Sequence, residues 1–129
     1  MTARTVLVVD DDDSIREIAE ISLQLVGGMH VLTASGGVEA LETLEQARTQ
    51  LPDVVLMDVM MPDMDGLTTF RHMQEDPDIR HIPVILVTAK VQVGDRQVWD
   101  GLAISGVISK PFDPMTLAEQ VGQMLGWDA

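Results

Sequence analysis

Five residues of this sequence carry groups that could do chemistry together, and each stands at the end of a short apolar run. Asp10 and Asp11 follow Val6-Leu7-Val8-Val9, Asp58 follows Val54-Val55-Leu56-Met57, Thr88 closes the run from Ile82 to Val87, and Lys110 follows Gly106-Val107-Ile108-Ser109. If these runs are strands of one open α/β sheet, their carboxyl ends share an edge, and ligands bind at that edge. Three carboxylates, a hydroxyl and an ammonium then converge. Two unit charges about 4 Å apart repel by roughly 4 kcal/mol at an effective dielectric of about 20, so the carboxylates must take up protons or hold a cation. A few hard oxygens with positions left open suit Mg²⁺, which keeps waters and shares a phosphate. A charged Lys110 cannot ligate a metal but can pair with a carboxylate or a phosphoryl oxygen, and Thr88 offers a donor to the same oxygen. Together these groups make a phosphoryl-transfer site, in which an aspartate takes up the phosphoryl group as an acyl phosphate.

The elements that must position these groups are legible as an alternation. A further run, His30-Val31-Leu32-Thr33-Ala34, brings the apolar segments to five. Short, β-branched and nearly continuous, most of them read as strands buried on both faces. Pro83 sits near the start of its run, where a missing N–H is tolerated. Between the runs lie segments with helical spacing. The first has Asp12, Asp13 or Ser14 as its cap, sets Ile15, Ile18 and Ala19 on one face, and ends near Gly27-Gly28. The others span about Gly37 to Thr49, Gly66 to Glu75, Val93 to Gly101 and Pro114 to Leu125. Each helix supplies the crossover that a parallel neighbour requires, so the expected architecture is an α/β sandwich around a mainly parallel sheet.

With 129 residues, 46% of them apolar, the chain fits one compact domain with its own core. No repeat, low-complexity tract or linker interrupts the alternation, so the expectation is a single domain over 1–129 with no output domain in this chain. The absence of cysteine excludes thiolate metal sites and thiol catalysis and fits a reducing cytosol. No apolar stretch is long enough to span a bilayer, and no leader pattern opens the sequence, which reads as soluble and unexported. Twenty-one acids against 8 bases give a formal charge of −13, which disfavours direct binding to nucleic acid or to an anionic membrane and favours a cation.

The segments VLVVDDDDS, VVLMDVMMPDMDG, ILVTAK and VISKPF resemble, in order and spacing, the four signature blocks of the receiver domain of bacterial two-component response regulators. The resemblance covers residues 4 to 125. It implies a flavodoxin-like, doubly wound (βα)5 fold with a five-stranded parallel sheet of order 2-1-3-4-5. It also implies that Asp58 accepts a phosphoryl group from a histidine kinase or a histidine phosphotransfer protein, that Asp11, Asp58 and the backbone carbonyl of Met60 ligate Mg²⁺, and that Asp10 assists through water. Lys110 would contact the phosphoryl group through a loop with a cis Lys110-Pro111 bond. Thr88 would turn inward to bind it and so alter the surface offered to an output protein. Such a chain is a cytoplasmic switch, not an enzyme beyond assisting its own phosphorylation, and is a monomer or weak homodimer. One position departs from the pattern. Val107 replaces the Tyr or Phe that often stands three residues before the lysine, and a valine cannot serve as an aromatic rotamer switch. Met60 and Lys90 hold the positions that influence the lifetime of the phosphoryl group in this family.

Simpler roles suit several neighbours. Asp12 and Asp13 fit a cap and a solvated loop, while Asp63 and Asp65 fit turn and cap duty before Gly66. Met57, Met60, Met61 and Met64 read as core or loop fillers in preference to soft-metal ligands. His30, His72 and His81 show no ligand spacing, and Trp99 and Trp127 read as partly buried. A Mg²⁺ hydrolase of the haloacid-dehalogenase kind needs a second acid two residues after its nucleophile, and Met60 stands there. A phosphorylation-independent module with the same fold would leave a like-charge cluster without use. The receiver fragment of a larger regulator is the remaining alternative.

Overall fold

The computed structural model describes residues 3–89 and 103–127. The expected helix from about Val93 to Gly101, together with Lys90 and Trp99, lies outside them. Five parallel strands form one sheet: β1 (Thr5–Val9), β2 (His30–Ala34), β3 (Val54–Asp58), β4 (Val84–Thr88) and β5 (Gly106–Ser109). Their order is β2-β1-β3-β4-β5, with every neighbouring pair parallel, as the resemblance implies.

The three inner strands are buried along their whole length, which accounts for their unbroken apolar sequences, whereas β2 and β5 are edge strands with partly exposed residues. Side-chain alternation divides the core into two layers. Leu7 and Val9 pack with Ala40, Leu44, Phe70 and Met73 on one face. Val6 and Val8 pack with Ala19, Leu23, Leu117 and Val121 on the other. The helices that supply these residues are α1 (Asp13–Leu25) and α4 (Leu117–Leu125) on the second face, and α2 (Gly37–Gln46) and α3 (Gly66–Glu75) on the first.

Local chemistry fixes the helix ends. Asp12 is the cap of α1, its carboxylate accepting from the N–H of Ser14 at 2.9 Å and of Ile15 at 3.1 Å. Asp65 caps α3 through the N–H of Thr68 at 2.7 Å. Helix α4 starts at Leu117, later than the expected Pro114, because residues 114–116 form a turn in which the Asp113 carbonyl accepts from the N–H groups of Thr116 and Leu117. Ser22 of α1 donates to the carbonyl of Pro114 and ties this turn to the helix.

Ile18 does not join Ala19 in the core. The buried line of α1 runs through Ala19, Ser22 and Leu23, and Ile18 falls on its flank, 46% exposed, in a row with Ile21 and Leu25. None of the helices in the described residues is long and apolar enough to cross a membrane.

Candidate functional site

The register decides which residues meet. Val9 pairs with Met57, Asp58 with Val87, and Thr88 with Ser109, so the residues that leave β1, β3, β4 and β5 emerge at one edge of the sheet. Backbone hydrogen bonds continue past the strand ends: Asp10 N–H donates to Ala34, Val59 N–H to Val87, and Lys110 N–H to Thr88. The side chains are therefore carried on backbone as rigid as the sheet itself. The Lys110-Pro111 bond is cis.

Asp10 and Asp58 are buried, with side chains 5% and 6% exposed, and Lys110 lies between them. Its Nζ is 2.8 Å from Asp10 Oδ2 and 3.2 Å from Asp58 Oδ1. Each carboxylate has a backbone partner as well. Asp10 Oδ1 accepts from the N–H of Asp12 at 2.9 Å, and Asp58 Oδ1 accepts from the N–H of Met60 at 3.4 Å. Asp11 is exposed, and carboxylate oxygens of Asp10, Asp11 and Asp58 lie within 4.8 Å of one another. Thr88 is buried at the end of β4, beside the strand that leads to Lys110.

Electrostatics follow from this packing. Burial pushes the Asp58 carboxyl up to about 6, and the neighbouring Asp10 charge adds to the rise, while Lys110 opposes it. Burial works against the Lys110 ammonium, yet the hydrogen bond and charge of Asp10 and the charge of Asp58 outweigh it and hold its pKa above the usual value. Three carboxylates face one ammonium, so the site has an excess of negative charge and hard oxygen donors, with Asp11 open to solvent. That donor set fits a divalent cation of the Mg²⁺ kind.

The structure brings Asp10, Asp11, Asp58 and Lys110 together, and Thr88 ends β4 at the same edge of the sheet. Met60 is 62% exposed at the rim, its N–H directed at Asp58. Val107 sits on β5 opposite Leu86, half-buried against the first core layer. Met57 and Met61 are core residues, His30, His72 and His81 are exposed, and Trp127 is half-buried with the Arg4 guanidinium 4.4 Å above its ring.

Sequence reasoning missed two supports of the site. Arg16, one turn into α1, donates to the carbonyl of Asp10 at 2.8 Å and pairs with Asp13 at 2.5 Å. Gly66 packs so tightly that a Cβ there would collide with the Asp58 carbonyl and stand 3.0 Å from Val59 Cα. Close approach, with no unusual φ at that residue, is thus the reason for glycine. An arginine at the fourth position of a helix that follows three acids, and a glycine inside an acidic loop, carry no local mark of these contacts.

Comparison with known proteins agrees with this geometry. The family described as "Response regulator receiver domain" matches residues 6–122. A "Probable transcriptional regulator ycf27" of Guillardia theta is 39% identical over 96% of this chain and 46% of its own length. "Response regulator PleD" of Caulobacter vibrioides is 41% identical over 94% of this chain and 26% of its own. The chain therefore spans less than half the length of these curated relatives. Among solved structures, the chemotaxis response regulator CheY4 of Vibrio cholerae superposes with a TM-score of 0.85 at 32% identity, covering 95% of this chain and 99% of that one.

Proposed function

This chain belongs to the response regulator receiver domain family, and from that premise we propose that Asp58 is its phosphoacceptor and that phosphorylation alters which protein it binds. One observation carries the reading: the Asp58 carboxylate ends the buried strand β3 within 3.2 Å of the Lys110 ammonium and beside Asp10 and Asp11.

In this reading an Asp58 oxygen attacks the phosphorus of a phosphohistidine on a kinase or phosphotransfer protein. The new O–P bond forms as the P–N bond breaks, and the imidazole leaves. Asp10, Asp11, Asp58 and the carbonyl of Met60 would hold Mg²⁺. When bound, the ion neutralises charge on the phosphoryl oxygens. Lys110 would leave its carboxylate partners for a phosphoryl oxygen, and the Thr88 hydroxyl would donate to the same group. With Val107 at the aromatic position, the change reaches the surface through backbone and aliphatic packing around β4 and β5.

The phosphodonor and the output partner are proteins in this reading, the chain acts in the cytoplasm as a monomer or weak homodimer, and its acidity argues against direct contact with nucleic acid. The share of each relative that is matched favours a second reading as well, in which these residues are the receiver part of a longer regulator.

The test is intact-protein mass spectrometry after incubation with acetyl phosphate, with and without Mg²⁺, on the wild type and Asp58→Asn. The expected result is one phosphoryl mass gained only when both Mg²⁺ and Asp58 are present. Equal gain by Asp58→Asn would remove Asp58 as the acceptor.

A further inference from the structure

Helix α2 begins at Gly37 behind Gly36, so the position that usually supplies a capping side chain has none. The missing acceptor comes from another element. Asp63, in the loop between β3 and α3, accepts from the N–H of Val38 at 3.1 Å and of Gly37 at 3.4 Å. The two glycines make this possible by letting the backbones meet. A Cβ on Gly36 would stand 2.7 Å from the Asp63 carboxylate, and one on Gly37 would collide with Thr69 and lie 3.0 Å from the Met64 carbonyl. The N–H of Val38, with smaller contributions from its neighbours, holds the Asp63 carboxyl below the usual range, so the acceptor stays charged well below neutrality.

The loop clamped in this way is the one that leaves Asp58. It carries Met60, whose N–H meets Asp58 Oδ1, and it returns through Gly66, whose N–H donates to the Val59 carbonyl at 2.9 Å. One end is thus fixed by the sheet, the other by α3 and its own Asp65 cap, and Asp63 gives the middle its attachment to α2.

We propose that Asp63 is a positioning residue for the phosphoacceptor site: by capping α2 from outside that helix, it fixes the loop whose Met60 carbonyl would ligate the metal. This rests on the function proposed above. It assigns Asp63 a role in metal affinity and phosphorylation rate although its carboxylate touches neither reacting group.

The experiment compares the wild type, Asp63→Ala, Asp63→Asn and the double variant Asp63→Ala with Gly36→Ser. Amide chemical shifts report Mg²⁺ affinity, mass gain from acetyl phosphate reports phosphorylation rate, and thermal melting reports stability. Asp63→Ala is expected to lower Mg²⁺ affinity about 10-fold, the lower end for loss of an outer partner of a metal site, and to slow phosphorylation. Asp63→Asn, which keeps one acceptor oxygen, falls between it and the wild type. The double variant gives α2 a cap of its own in the space the carboxylate vacates, without tying down the loop. It is expected to melt higher than Asp63→Ala while keeping the weakened Mg²⁺ binding and slow labelling.

Two results overturn the proposal: Asp63→Ala matching the wild type in affinity and rate, or the double variant recovering both, which would trace the effect to helix stability alone. Failure of the wild type itself to gain a Mg²⁺-dependent phosphoryl group on Asp58 would instead overturn the function on which the proposal rests.

Discussion

The Lys110 ammonium stands closer to Asp10, at 2.8 Å, than to Asp58, at 3.2 Å. Without a phosphoryl group in the site, it is the shared counter-charge of two buried carboxylates. This pairing makes the resting site dependent on its lysine in a way that a surface ion pair would not be.

Lys110→Ala is therefore expected to destabilise the metal-free protein by about 3 kcal/mol, the low end for breaking a buried charge pair. Saturating Mg²⁺ should return most of that loss and still bind, because the lysine is not a ligand. Urea unfolding with EDTA and with Mg²⁺ gives both numbers. Equal stability of variant and wild type in EDTA would show that the lysine is not the counter-charge inferred from its position.

The raised Asp58 carboxyl has a definite sign in the stability of the metal-free protein. Between its ordinary value of 3.8 and about 6 the folded state binds more protons at this residue than the unfolded state does. Its contribution to stability thus grows as pH falls through about 6 and is least above it. Asp63 and Asp65 act in the opposite direction at lower pH. The N–H groups of Val38 and Thr68 hold their carboxyls down, so their contribution is lost as pH falls below the usual carboxylate range. Urea midpoints measured from pH 8 to pH 5 should rise for the wild type relative to Asp58→Asn, which does not titrate. A constant difference between the two across that range would contradict the shift. Protons and Mg²⁺ compete for the same oxygens, so metal affinity should weaken below about pH 6.

Gly66→Ala tests the close approach at the acceptor. Alanine is the better helix former by up to about 1 kcal/mol, but its Cβ would meet the Asp58 carbonyl, a backbone atom with nowhere to move. A net loss of about 1–3 kcal/mol in urea unfolding is expected, with slower labelling by acetyl phosphate because the carbonyl belongs to the acceptor itself. A stabilised variant would show that the loop can shift without cost.

The strands and the acid–lysine edge are readable because short, mostly apolar runs recur five times, three of them end abruptly in charge, and parallel pairing carries those ends to one side. Helix α3 has the bounds that its sequence suggests because both ends are marked locally, by Asp65-Gly66 and by Pro77. Periodicity gives spacing and not phase, so the sequence sets Ile18 with Ala19, whereas the packing of Ala19 and Leu23 leaves Ile18 on the flank. The start of α4 moved because the Asp113 carbonyl and the Ser22 hydroxyl take up the turn before it. Asp63 looked like ordinary turn chemistry because its partners, Gly37 and Val38, lie in another helix, and no local pattern announces a cap delivered from a distance.

The strand order carries a kinetic consequence. Every ladder in this sheet joins segments that a crossover separates, so the chain must close long loops before any pairing is rewarded. The acid trio is complete once β1 and β3 are side by side, whereas its ammonium arrives only with the segment after β5. On any route where the central pair forms first, the Asp10, Asp11 and Asp58 carboxylates meet before the Lys110 ammonium reaches them. A divalent ion held at these oxygens, as proposed above, would then act on the path as well as on the finished molecule, lending at that stage the charge that Lys110 later supplies.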